Sequence, residues 1–228
     1  KKMEENMYFY GFGERSGHLN KKYCHYINWN TDDPTPHGET YEKLYKSIPF
    51  FITLKDEEAF GIFFDNTFET HFDLGKENSN YYYFASVDGN IDYYFIYGPS
   101  IKNVIKGYTH LTGTTPLPQL WTLGYQQCRW AYCPEENVYE IAKKFREKDI
   151  PCDTIYLDIE YMDDFRVFTW DKNKFKDPKK MIENLNDDGF KLVTIIDPGV
   201  KVDKGYKIYD EGLENNYFAT DKNGIVYT

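Results

Sequence analysis

The segment "TIYLDIEYMDDF", Thr154–Phe165, opens as an apolar β-strand and runs into four acids, Asp158, Glu160, Asp163 and Asp164. Carboxylates crowded at a strand end repel one another, so the segment is either a solvated turn or a wall facing a ligand or a metal. Strand periodicity puts Tyr156, Asp158 and Glu160 on one face and Ile155, Leu157 and Ile159 on the other.

The flanking segments carry the same grammar. Upstream, "TLGYQQCRW" reads as a strand, and "CPEENVYEIAKKFREKDIP" reads as a helix. Pro134, Glu135 and Glu136 fall in that helix's first turn, Val138, Ile141, Ala142 and Phe145 form its apolar face, and basic residues gather toward its end. Downstream, "DPKKMIENLNDDG" has Asp177 as cap, Pro178 at the first helical position and Gly189 as stop. "FKLVTIIDPGV" is a third strand, apolar enough to be covered on both faces. The order β-α-β-α-β predicts a parallel sheet with right-handed crossovers, at roughly the repeat of a (β/α)8 barrel. Such folds bind ligands at the carboxyl ends of their strands. Arg129 and Trp130 end the first of these strands, Asp158 the second and Asp197 the third. Convergence of three such ends on one mouth favours a ligand-facing role over simple solvation. Arg129 has two readings, positioning the mouth acids or forming a salt bridge at the core edge.

Residues 1–117 have a different pattern. "SIPFFITLKD", "AFGIFFDN", "THFDLG", "NYYYFASV" and "IDYYFIYG" are short aromatic and β-branched runs separated by turn signals, as in an antiparallel sandwich. The Asp88-Gly89 pair predicts a tight hairpin between the last two. Pro116 and Pro118 mark the boundary. The expected fold is therefore α+β and multi-domain: a β-sandwich over 1–117, then over 118–228 the beginning of a (β/α)8 TIM barrel, incomplete within the chain. The tail after the third strand reads as the start of an insertion that ends within a hairpin. Three strands of eight leave a long apolar edge, which predicts a piece of a longer enzyme.

Composition limits the partners. The formal charge is −10, which disfavours nucleic acid, and no apolar run approaches the length of a membrane span. The chain has 22 Tyr and 17 Phe, a usage that suits strands and sugar-contacting surfaces and equally suits a biased genome. Cys24, Cys128, Cys133 and Cys152 are scattered, as reduced thiols of a cytoplasmic protein would be, and neither they nor the five histidines are spaced as metal ligands.

"LGYQQCRWAY", "PCDTIYLDIEYMDDFRVFTWD" and "KLVTIIDPGV", in this order, resemble the first three barrel strands of glycoside hydrolase family 31, the family of α-glucosidases and α-xylosidases. "YGFGERSGHLNKK", "NWNTDDPTPHG" and "LYKSIPFFI" resemble the family's N-terminal, galactose mutarotase-like sandwich. The resemblance covers essentially the whole chain. It implies that Asp158 binds hydroxyls of the −1 sugar, that Ile159 and Val200 line the pocket, that Trp130 stands against the sugar face, and that Asp32 reaches the same sugar from the sandwich. Tyr156 stands where the family commonly has Trp, Glu160 where it has Asp, and Val200 where Ile is usual. Glu160 is read as structural support, and Asp163 and Asp164 as solvated turn acids.

No catalytic residue is assigned: the family's nucleophile and acid/base aspartates lie after later barrel strands and are expected beyond Thr228. The implied activity is hydrolysis of terminal α-linked glucose by the complete protein, with no cofactor. Its partners would be an α-glucoside oligosaccharide and the remaining barrel strands, from the rest of the protein or another chain. Two other readings remain. One is a carbohydrate-binding module without catalysis. The other is a Mg²⁺-dependent phosphotransferase, suggested by "DIE" after an apolar strand but lacking a phosphate cradle.

Overall fold

The computed structural model describes residues 1–228 and divides the chain into two compact units, Lys1–Thr115 and Pro116–Thr228. No helix is long and apolar enough to cross a membrane.

In the first unit, β1 (Met7–Gly11), β3 (Phe50–Lys55), β4 (Glu58–Phe64) and β7 (Tyr93–Tyr97) form one sheet in the order β1-β3-β4-β7. A second sheet has the order β2-β5-β6, from His25–Asn28, Thr70–Asp73 and Tyr83–Ser86. All pairings are antiparallel. Aromatic rings fill the space between the sheets: Phe9, Phe12, Phe64 and Phe72 are fully buried, and Phe12 meets Phe72 edge-on with centroids 5.0 Å apart. Each such ring contributes roughly 1.5–3 kcal/mol through burial.

The run "FFI" in β3 is apolar without alternation because both of its faces are covered. Phe51 points into the sandwich, whereas Phe50 and Ile52 meet α1 (Ile101–Thr112) on the outer face. Val104 of α1 is fully buried there, and Tyr108 stacks on Phe50 with centroids 3.8 Å apart. This helix is absent from the expectations above, although its signals are present. The Ser100 hydroxyl accepts from the Asn103 amide at 3.2 Å, and Gly113 ends the helix with φ 86°.

The Asp88-Gly89 hairpin is not formed. β6 pairs with β5 and β7 with β4, so the turn crosses between sheets. Asn66 Nδ2, from another loop, donates to the carbonyls of Asp88 (3.0 Å) and Asn90 (3.1 Å), which holds the crossing open. The tight hairpin lies instead between β3 and β4, where Asp56 and Glu57 both adopt left-handed backbone, φ 49° and 67°.

In the second unit β8 (Gln126–Gln127), β9 (Thr154–Leu157) and β10 (Lys191–Thr194) form a parallel sheet with β9 central and both edges open. Crossovers α2 (Glu135–Glu147) and α3 (Pro178–Asp187) cover one face. Val138, Ala142 and Phe145 of α2 and Met181 and Leu185 of α3 pack with Ile155 and Leu157. The Asp177 carboxylate caps α3, accepting from the Lys180 amide at 3.0 Å. Arg146 lies over the Phe190 ring at 3.7 Å and donates to the Asp188 carbonyl, tying the end of α2 to the turn before β10. The tail forms α4 (Lys207–Glu214), unforeseen in the sequence, and then an antiparallel bridge between Thr220 and Val226.

The α1–β4 contact depends on Gly61. A Cβ there would lie 2.6 Å from Val104 Cγ1 and 2.9 Å from Phe50 Cε2. Gly61→Ala is therefore expected to destabilise the protein by about 1–3 kcal/mol, read as a lower urea midpoint. An unchanged midpoint would show that α1 packs loosely.

Candidate functional site

β9 ends at Leu157, and Asp158 is the first residue beyond it. Asp158 does not continue the strand: it caps a 3-10 turn, Ile159–Tyr161, and its Oδ1 accepts from the Ile159 amide at 2.8 Å. Oδ2 makes no hydrogen bond within the chain and remains available to a donor. The strand alternation extrapolated from sequence therefore stops at Leu157. Ile159 and Glu160 are displaced from the faces it assigned, because a three-residue turn has replaced the two-residue repeat.

The turn gives Glu160 a specific contact. Its Oε1 accepts from the indole Nε1 of Trp130, in the loop after β8, while Oε2 is buried without a partner. The ring itself is exposed. Glu160 thus orients a flat indole beside the segment that carries Asp158. The supporting role expected of Glu160 acquires here a partner that the sequence does not reveal. The Tyr161 hydroxyl donates to the Ile195 carbonyl at 3.1 Å and links the loops after β9 and β10.

Ile159 packs on the core and also lines an open cleft with Met162, Phe165, Val167, Ile196 and Asp197. Val200 is half-buried against the same core. β10 ends at Thr194, so Asp197 lies three residues past the strand rather than at its end, in a turn where its backbone is left-handed, φ 44°. Arg129 is exposed and forms neither of the contacts considered for it.

Asp163 and Asp164 point outward, and both are about 60% exposed. Lys201 Nζ lies 2.5 Å from Asp164 and holds that carboxyl below the usual aspartate range. Arg166 contacts Asp163 at 3.4 Å and Asp203 at 2.5 Å. These acids belong to a surface ion-pair network.

Asp32 belongs to the first unit, in the loop after β2, and is exposed. Its neighbour Asp33 is used inside the loop: the Thr35 amide (3.0 Å) and hydroxyl (2.6 Å) both donate to Asp33 Oδ1, which lowers that carboxyl's pKa. The Tyr45 hydroxyl donates to the Asp33 carbonyl at 2.6 Å, and burial, followed by the nearby Asp32, pushes the phenol up. Asp33 shapes the loop and leaves Asp32 at its surface.

The chain thus joins an antiparallel β-sandwich to parallel β/α units, with an oriented indole and a half-free carboxylate beyond the strands. Residues 115–228 match the glycosyl hydrolases family 31 TIM-barrel domain, and residues 1–73 match the glycosyl hydrolase 31 N-terminal galactose mutarotase-like domain. The chain belongs to glycoside hydrolase family 31.

It is 48% identical over 227 residues to alpha-glucosidase 2 of Bacillus thermoamyloliquefaciens, covering 100% of this chain and 29% of that protein. Against the alpha-glucosidase of Saccharolobus solfataricus it is 34% identical, covering 93% of this chain and 31% of the relative. Among solved structures, a mutant family 31 dextranase of Flavobacterium johnsoniae complexed with isomaltotriose superposes with TM-score 0.87 at 38% identity, covering 99% of this chain and 27% of that one. A family 31 alpha-glucosidase of Bacteroides thetaiotaomicron gives 0.83 at 37% identity, with coverages of 98% and 38%. The chain therefore spans less than a third of the curated relatives named here.

The Lys201–Asp164 pair carries a pH signature. Because the folded pKa of Asp164 is depressed, the pair's stabilisation is present above the ordinary aspartate value and is lost as pH falls through the folded one. Lys201→Met is expected to move the Asp164 midpoint upward, measured by carboxyl ¹³C NMR. An unmoved midpoint would show that Lys201 does not govern this carboxylate.

Proposed function

We propose that these residues supply the sugar-binding walls of a retaining α-glucosidase, which releases terminal α-linked glucose from α-1,4 or α-1,6 oligosaccharides. The observation that carries this reading is the pairing at the β9 exit: Asp158 keeps one oxygen free while Trp130 is held by Glu160 two residues further on. A carboxylate accepts sugar hydroxyls through charge-assisted bonds, and an indole covers the apolar C–H face of a pyranose. The names of the relatives, alpha-glucosidases and a dextranase seen with isomaltotriose, support the substrate class.

In this reading Asp158 binds −1 hydroxyls, Trp130 covers the ring, Ile159 and Val200 close the pocket, and Asp32 reaches the sugar from the sandwich loop. The domain limits proposed are 1–117 for the sandwich and 118–228 for the first part of the barrel, with an insertion beginning after β10. Retaining hydrolysis needs two carboxyl groups about 5 Å apart, one attacking the anomeric carbon and one protonating the leaving oxygen. We assign that pair to residues outside this segment, on later barrel strands supplied by the rest of the protein or another chain. The four free thiols suit a reducing compartment, and the cytoplasm is proposed on that basis.

In the complete enzyme, Asp158→Asn should lower kcat/KM for an α-glucoside by roughly 10²-fold, as expected when a charged partner of a substrate hydroxyl is lost. Asp163→Asn should change it little. Equal losses would mean that the wrong acid has been assigned to the pocket. Residues 1–228 alone should not turn over p-nitrophenyl α-glucoside. Turnover within about tenfold of the complete enzyme would place the catalytic pair inside this segment.

A further inference from the structure

His25 and His71 are 46 residues apart in sequence, and strand pairing brings them together. β2 and β5 align His25 with Asp73 and Ile27 with His71, so the two histidines are diagonal neighbours on one face of their sheet. Tyr26 and Phe72 point the other way, into the sandwich. Both imidazoles keep contact with solvent, their side chains being 18% and 30% exposed.

Their nitrogens form a chain of three contacts. His25 Nδ1 lies 3.1 Å from Glu42 Oε1, His25 Nε2 lies 3.4 Å from His71 Nδ1, and His71 Nε2 lies 3.1 Å from Glu69 Oε1. Lys76 Nζ donates to Glu42 Oε1 at 2.7 Å, and Lys43 Nζ donates to Glu69 Oε2 at 3.2 Å. These ammoniums hold the two carboxyls below the usual glutamate range. An ionised carboxylate only accepts, so each outer ring nitrogen must carry its hydrogen. Two neutral imidazoles have then used both of their hydrogens. The inner nitrogens, His25 Nε2 and His71 Nδ1, are left lone pair against lone pair. Moving either hydrogen inward only transfers that conflict to a carboxylate.

A cation shared by the inner nitrogens removes the conflict. The ring centroids are 5.5 Å apart, well beyond the 3.4 Å nitrogen gap, so the nitrogens lie between the rings and the imidazoles meet edge to edge. Zn²⁺–imidazole bonds are about 2.0–2.1 Å, and two of them at a tetrahedral angle span roughly 3.3–3.4 Å. The pair already has this separation. An ion beside the nitrogen–nitrogen axis therefore needs a tilt of each ring and no movement of the strands. Imidazole suits Zn²⁺, Cu²⁺ and Ni²⁺. A ligating histidine characteristically gives its other N–H to a carboxylate, and here both rings face one. The two carboxylates and the two ammoniums cancel in charge, so a dication meets no net repulsion.

We propose that His25 Nε2 and His71 Nδ1 bind a divalent transition ion of the Zn²⁺ class, with Glu42 and Glu69 orienting the rings and water completing the coordination. The bound ion cross-links β2 to β5 on the face turned away from the sandwich core. The Asp32 loop leaves from the end of β2, so the ion also anchors the strand that carries that loop. The site uses no residue assigned to substrate and does not depend on the hydrolase reading.

The test titrates ZnCl₂ calorimetrically into the complete protein after treatment with a chelator. His25→Gln, His71→Gln and Glu69→Gln are compared with the parent, with circular dichroism checking the fold. One Zn²⁺-binding event should disappear in each histidine variant and weaken about 10–100-fold in Glu69→Gln. Crystals of the parent soaked in ZnCl₂ provide a measurement that needs no variant: anomalous density at the zinc edge should lie within bonding distance of both inner nitrogens. Zn²⁺ binding that survives either histidine substitution would overturn the proposal. So would the absence of saturable binding up to about 1 mM, or anomalous density only at other places.

Discussion

Burial of a four-residue strand is the constraint on which the second unit depends. β9 is flanked by strands on both sides and by helices on one face, and Ile155 and Leu157 are completely buried. A slip of one residue would turn Thr154 and Tyr156 toward the helices and bring Ile155 and Leu157 out of the core. The register of β9 against β10, Thr154 to Lys191 through Leu157 to Thr194, is therefore set by apolar packing. Asp158 is positioned by that packing, since it is the first residue after the last buried one. A carboxylate placed this way is held by a rigid element and needs no contact of its own to fix its backbone.

The contact that Asp158 does make redirects the chain beyond it. By accepting the Ile159 amide it starts a 3-10 turn, and the turn brings Glu160 to the Trp130 indole. One oxygen of Asp158 is thus committed to local structure and the other is left over. The same division recurs in the Asp32 loop, where Asp33 satisfies the turn and Asp32 does not. In both places one acidic group organises the backbone so that a neighbouring acidic group, or the second oxygen of the same one, faces outward.

This division explains which parts of the molecule were legible in sequence. The helices α2 and α3 and the strand β9 were readable because period, cap and apolar face agree, as in Asp177-Pro178 opening α3. The Asp88-Gly89 turn misled because local chemistry specifies that the chain reverses but not which strand receives it. The strands that flank it pair with β5 and β4 in different sheets, and Asn66, more than twenty residues away in sequence, bonds the turn between them. Alternation past Leu157 failed for a related reason: a period describes a strand only while the strand lasts, and an Asp side chain that bonds the next amide ends it. The Glu160–Trp130 bond spans thirty residues and has no local signal. Asp158 and Trp130 could be selected because the sequence places them at strand exits, and Ile159 only through the family resemblance, whereas their orientations depend on contacts that only the folded chain supplies.

Four carboxylates within seven residues are tolerated because they do not share one environment. Asp158 is bonded to an amide and Glu160 to an indole. Asp163 lies against Arg166, and Asp164 against Lys201. Met162, extended at φ −70° and ψ 150°, separates the turn that holds the first pair from the turn that holds the second. The first two acids stay with the β9 exit, and the last two face a separate patch of basic residues and solvent. Repulsion along the sequence is relieved by this separation together with local partners. At the β9 exit Asp158 and Glu160 therefore each keep one oxygen without a partner, Glu160 giving its other one to the Trp130 indole and Asp158 its other one to the Ile159 amide.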